Sequence, residues 1–257
     1  MNLLQTIDLK KYFGDTRAVD NVNLTIAEGE FISLVGPNGA GKTSFCNVVS
    51  AFYTPDSGKI LFKGEDVTGA SVTERVKIGI ARSFQLVNLF DDLSAFENIT
   101  LAIFSRQGKT RNIAALAHLD SAVTAEADAV LGQFGLAGKR DVTARGLAQG
   151  ERKLLDVAVA YALRPKLLFL DEPTSGVSTR DKDQIMDTIA SVVRGERITA
   201  VIIEHDMDVV FKYSDRIVVM HQGAILAQGT PDAIRNNDQV AMILLGSSGP
   251  DAFTRKD

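Results

Sequence analysis

Residues 36–44 read GPNGAGKTS, and no other stretch limits so sharply what the chain can fold into. Gly36, Gly41, Lys42 and Thr43 satisfy the spacing G-x-x-x-x-G-K-[ST], which carries meaning when it follows a strand and opens a helix. The flanks meet both conditions. FISLVG (31–36) is a short apolar run that stops at glycine and proline, and GKTSFCNVVSAFY beyond it has helical spacing. Such a turn is suited to capturing an anion. Its glycines let successive backbone N–H groups face inward, and the helix start adds partial positive charge. Gly36, Pro37, Asn38, Gly39, Ala40, Gly41, Lys42, Thr43 and Ser44 therefore form a candidate nucleotide cradle. Lys42 supplies a point charge for the β- and γ-phosphates, and the Thr43 hydroxyl a ligand for Mg2+.

A triphosphate needs a second acidic contribution, and KLLFLDEP (166–173) offers one. Asp171 ends an apolar run of strand length, where it can hold the Mg2+ shell; Glu172 can polarise an attacking water. ITAVIIEHD (198–206) is a second such run, and His205 stands at its end, on the sheet edge where phosphates are expected. SGKILFKG (57–64) alternates like a strand, and SDRIVVMHQGAILAQGT (214–230) reads as two strands turning at Gln222-Gly223. Fully apolar strands separated by helical segments predict a parallel sheet covered on both faces. Residues 91–162 show little strand character, and NIAALAHLDSAVTAEADAVLGQFGLAG is alanine-rich, which predicts a helical lobe. The tail GSSGPDAFTRKD (247–257 with Gly246) is polar and expected to be mobile.

Composition narrows the setting. A net charge of −4 gives no electrostatic reason to expect nucleic acid. The single cysteine, Cys46, excludes an internal disulfide framework and suits a reducing cytosol. No apolar run reaches the roughly 18 residues of a membrane span. The N-terminus MNLLQTIDLKKYFG lacks the pattern of a secretory signal.

Together these motifs, with ARSFQ (81–85) and LAQGE (147–151), resemble the ATP-binding subunit of an ABC transporter over about residues 3–246. The resemblance implies an α/β fold: a P-loop NTPase (RecA-like) core with a mixed sheet, an antiparallel β subdomain and a helical signature subdomain. It divides a single domain, 1–246, into a core (1–90 and 163–230), a helical subdomain (about 91–162) and a C-terminal helix (about 231–246). It makes Gln85 the glutamine that touches the metal and water site and the membrane subunit. Phe13 becomes the aromatic stacked on adenine, ahead of its neighbour Tyr12. Leu147, Ala148, Gln149, Gly150 and Glu151 take the place of the LSGGQ signature, whose helix start meets the γ-phosphate bound by a second chain. A helix that begins on LAQG without a capping side chain would then be completed by another subunit's anion. Two ATP molecules would lie between two chains arranged head to tail.

Three positions depart from the pattern. Ala148 replaces the signature serine and forgoes a charge-assisted hydrogen bond of about 1.5–3 kcal/mol. Glu151 stands where glutamine is usual; its charge can repel the phosphates or favour the helix dipole. In the loop after the two acids, Ser178 stands where many members have aspartate. Within the family the chain is closest in style to the ATP-binding subunits of branched-chain amino-acid importers, the larger of their two ATPase types. That implies integral membrane permease subunits contacted through about residues 86–116, a second ATP-binding subunit (a copy or a paralogue), and a periplasmic or extracellular solute-binding protein reached indirectly. The expected place is the cytoplasmic face of the plasma membrane, held peripherally. Importers of amides or urea and lipid-export systems are the alternatives. The basic loop FSRQGKTRN (104–112) reads as a solvated turn.

Overall fold

In the computed structural model, described here over residues 1–83, 89–108, 120–246 and residue 253, the chain forms two compact units. One comprises residues 1–75 and 199–257, the other residues 76–198.

The first unit opens with two 12-residue strands, β1 (Asn2–Phe13) and β2 (Thr16–Ala27). In β2 buried and exposed residues alternate from Val22 onward, the mark of a strand with one face on the core. β3 (Phe31–Val35) is buried throughout and feeds α1 (Lys42–Val49). β4 (Ser57–Phe62) and β5 (Glu65–Asp66) complete an antiparallel sheet ordered β2-β1-β4-β5. This is the antiparallel element that the resemblance implied. α2 (Val72–Ile78) follows. Its Arg75, 1% exposed, donates to the carbonyls of Val48, Val49, Val67 and Thr68, and burial pushes its pKa down to about 10. A buried cation is costly unless compensated. Two of these acceptors lie at the negative end of α1, so the helix dipole compensates it in part.

In the second unit β6 (Ile80–Arg82) pairs in parallel with β7 (Leu167–Asp171), which is buried along its whole length. Between them lie α3 (Ala95–Arg106), α4 (Ser121–Gln133) and α5 (Gln149–Ala162), and after β7 comes α6 (Thr179–Gly195). The expected helical lobe is present in the described part of 91–162. Arg106, read as part of a solvated turn, instead pairs with Glu126 at 2.8 Å and donates to the Ala162 carbonyl at 2.7 Å, fastening the end of α3. Residues 109–112 of that loop lie outside the described residues.

The first unit resumes with β8 (Thr199–Ile203), α7 (Met207–Tyr213), β9 (Arg216–His221), β10 (Ala224–Gly229), α8 (Pro231–Arg235) and α9 (Asp238–Leu245). β3 runs parallel to β8 and β9, while β10 is antiparallel to β9, so the sheet is mixed. The β9–β10 turn falls at Gln222-Gly223 as expected, with φ of 48° and 81°. Positive φ at both positions matches the twist of a two-residue hairpin. Residues 231–246 form two short helices rather than the single one expected, because Asn237 accepts from the Val240 N–H and caps a new start. Of the tail, Phe253 packs edge-on against Phe211 at 5.2 Å, and the other residues from 247 onward lie outside the described set.

Candidate nucleotide site

β3 ends in a turn that only glycine permits at two points. Gly36 has φ 151° and Gly41 φ 100°. A Cβ on Gly36 would be driven into the Met220 carbonyl, and one on Gly41 into the Ala18 carbonyl. The hairpin turn braces this loop from outside. Gly223 N–H donates to the Ala40 carbonyl at 3.0 Å, and Asp20 N–H donates to the Gly223 carbonyl at 2.8 Å. Inside it, Lys42, 6% exposed, donates to the carbonyls of Gly36 (2.7 Å) and Pro37 (3.0 Å). The ammonium is thus held within the loop's own curve, while Asn38, Gly39 and Thr43 are exposed and Ser44 is half-buried.

The helix starts sort themselves. Side-chain acceptors cap α2 (Ser71), α3 (Ser94), α4 (Asp120), α6 (Ser178), α7 (Asp206), α8 (Thr230) and α9 (Asn237). Among the described α-helices, α1 and α5 alone begin without one. α1 starts on Gly41 with no acid in its first turn, so its open N–H groups and dipole face the loop that holds Lys42.

His205 is exposed just beyond β8, and its backbone N–H donates to Glu204 Oε2 at 3.3 Å. It lines a cavity of about 230 Å³ together with Gly36, Pro37 and Asn38. The expectation that this histidine and the phosphate loop share one edge of the sheet is met within the first unit. Phe13, 45% exposed, rests edge-on against Tyr53 at 5.1 Å. The neighbouring Tyr12 hydroxyl donates to Asp20 at 2.6 Å, which raises its pKa. That leaves Phe13 as the accessible ring of the pair.

In the second unit Asp171 is 2% exposed at the end of β7. Arg82 grips its Oδ2 at 2.5 Å, and its Oδ1 is buried with no hydrogen-bond partner among the described residues. Glu172 follows with φ 48°, a left-handed conformation that costs a non-glycine residue and is found disproportionately at functional sites. Lys153 of α5 donates to the Glu172 carbonyl at 3.2 Å and to Ser175 Oγ at 3.0 Å. The helix that begins on LAQG is therefore tied by one side chain to the turn that carries the acids. Neither Lys153 nor Arg82 was singled out from sequence. Lys153 follows another cation, Arg152, and Arg82 closes a short apolar run, and no spacing rule pairs them with residues 19 or 89 positions away.

At the signature, Leu147 is buried, Ala148 and Gln149 are exposed, and Gly150 lies against Ile185. Glu151 turns back on the helix start: its Oε2 accepts from Ala148 N–H at 2.9 Å and its Oε1 pairs with Lys139 at 3.1 Å. Of its two sequence readings, this geometry supports the one that favours the helix start. Ala148 cannot return the bond, so only half of a capping box exists. Ala148→Ser should complete it and raise the melting temperature by about 2–4 °C, corresponding to about 1 kcal/mol. An unchanged or lower melting temperature in a thermal scan would show that Glu151 already suffices. Ser178 Oγ donates to Asp181 at 2.7 Å and accepts from its N–H, so serine there serves the start of α6. Gln85 lies in 84–88, outside the described residues.

The available donors fit Mg2+ held jointly with a nucleotide. Within the second unit Asp171 Oδ1 is a hard oxygen left without a hydrogen-bond partner among the described residues, and no group of three or more His, Cys, Asp or Glu side chains forms a protein-only metal site among them. Mg2+ commonly takes one or two protein oxygens and completes its shell with phosphates and water.

A glycine-rich loop ahead of a helix, a buried strand ending in two acids, a histidine beside the loop and a helix start with only half a capping box are the elements of an ATP-binding cassette. The chain belongs to the ABC transporter family, whose match covers residues 19–175, and it is an ATPase of that class. It is 36% identical to the high-affinity branched-chain amino acid transport ATP-binding protein LivG of Escherichia coli, over 96% of this chain and 98% of that one. BraF of Pseudomonas aeruginosa, described in the same words, shows the same identity and coverage. Among solved structures, a nucleotide-free ATP-binding cassette from an ABC transporter superposes with a TM-score of 0.84 at 28% identity, over 96% of this chain and all of the other. An ADP-bound form of a cassette matches equally well, with TM-score 0.84, 28% identity, and 96% and 100% coverage.

Proposed function

We propose that this chain is the ATP-hydrolysing subunit of an importer for branched-chain or related amino acids. The observation that carries this is the end-to-end match to LivG and BraF, 96% of this chain against 98% of each, which extends well beyond the generic cassette motifs. No described helix is long and apolar enough to cross a membrane. The transport path then belongs to integral membrane permease subunits, on which this chain docks at the cytoplasmic face, and a solute-binding protein delivers the amino acid from outside.

In this reading the loop around Lys42 and the open start of α1 bind the triphosphate, while Phe13 stacks on adenine. The Thr43 hydroxyl, Asp171 and Gln85 would hold Mg2+, which supplies charge neutralisation and Lewis acidity to the phosphates when bound. Glu172 takes the proton from the attacking water, and His205 orients the γ-phosphate and water. The start of α5 from a second ATP-binding chain, at Ala148, Gln149 and Gly150, closes over that phosphate, and the Ser178 turn meets the same partner. ATP binding closes the pair and hydrolysis reopens it.

The test is co-purification from the native host with a tagged chain, followed by uptake in a strain lacking the gene. Recovery of multi-spanning permeases together with loss of leucine, isoleucine or valine uptake supports the proposal. Recovery with lipid-export components, or amino-acid uptake that persists unaltered, sinks it.

A further inference from the structure

Asp171 is more constrained than a carboxylate at a strand end needs to be. Its Oδ2 is engaged by the Arg82 guanidinium, both side chains are almost fully buried at 2% and 5% exposure, and its Oδ1 has no partner among the described residues. Arg82 ends β6, and the register Arg82↔Phe169 sets it beside the strand that delivers Asp171. The ladder continues one residue further, with Ser83 N–H donating to the Phe169 carbonyl at 2.8 Å, so the backbone under the guanidinium is itself fixed. A buried carboxylate held at one oxygen cannot rotate freely, and the other oxygen then points in one direction. Outer-sphere hydrogen bonds of this kind orient metal ligands, and losing one commonly costs 10–100-fold in metal affinity.

We propose that Arg82 is a positioning residue for the metal: it holds Asp171 Oδ2 so that Oδ1 is presented to Mg2+. This rests on Asp171 being the Mg2+ ligand. The arrangement gives the guanidinium a role distinct from a general stabilising ion pair, which would leave metal affinity in the folded protein unchanged.

The test is the Mg2+ dependence of binding of a fluorescent ATP analogue to the full chain, alongside binding in EDTA. Mn2+ occupancy followed by electron paramagnetic resonance gives a direct second readout. For Arg82→Met the Mg2+ midpoint should rise about 10–100-fold, with metal-free nucleotide binding unchanged, and Arg82→Lys should recover part of the loss. A midpoint within twofold of the native chain, or a lower one, overturns the proposal. Should Arg82→Met fail to fold, Arg82→Gln, which retains one donor, is read in its place: a rise of at least about threefold is expected, and none overturns it. Asp171→Asn separates the two levels. If it leaves the Mg2+ midpoint unmoved, the assignment of Asp171 as the ligand fails; if it shifts the midpoint while the Arg82 variants do not, only the positioning role fails.

Discussion

Glu172→Gln is expected to bind Mg-ATP within about twofold of the native chain and to hydrolyse it about 100–10,000-fold more slowly, the usual contribution of a positioned general base. The amide keeps the size and shape of the side chain and one acceptor oxygen, but it carries no charge and cannot take a proton from water. Its backbone, at φ 48° and tied through the carbonyl to Lys153, does not depend on the carboxylate. The turn should therefore survive the substitution. With chemistry stopped, the ATP-closed pair accumulates, and size-exclusion chromatography with ATP reports it as a doubling of mass. Phosphate release at the native rate would show that another group accepts the proton.

Lys42→Ala is expected to weaken ATP binding by about 100–10,000-fold. Two effects act together. The ammonium makes charge-assisted contacts to phosphate oxygens, each worth about 1.5–3 kcal/mol, and two of them convert to that range at about 1.4 kcal/mol per tenfold. The same ammonium bridges the Gly36 and Pro37 carbonyls, so its loss also loosens the loop. Calorimetric titration measures the first effect. A thermal scan without nucleotide should show a modest loss of stability, and the shift induced by ATP should vanish. Near-native affinity would place the triphosphate elsewhere.

Both substitutions act on residues that were legible in the sequence because their chemistry is local. The phosphate loop is nine consecutive residues, 36–44, and the acids end an unbroken apolar run, so composition and order suffice. The hairpin at Gln222-Gly223 was legible for the same reason: a turn dipeptide between two apolar stretches. The strands β1 and β2 were not placed residue by residue, since β1 is interrupted by register shifts that break its alternation. What the sequence hides is pairing across distance. Arg75 beneath α1, Arg82 on Asp171 and Lys153 on Glu172 are cations whose partners are set by strand order and helix packing. The break between α8 and α9 was missed because the apolar run AMILLG masks the capping role of Asn237, four residues earlier.

The clasp from Lys153 to the Glu172 carbonyl has a mechanical consequence. The start of α5, the part of this chain assigned to another subunit's nucleotide, lies one helical turn from that lysine. A load applied there can reach the acid's main chain through that ammonium group, alongside the Gln149 side chain that lies against Gly176 in the same turn. Under the proposed head-to-tail pairing, occupancy of the neighbour's pocket and the setting of the local base would be geared together, and two such chains would advance in step rather than fire at random.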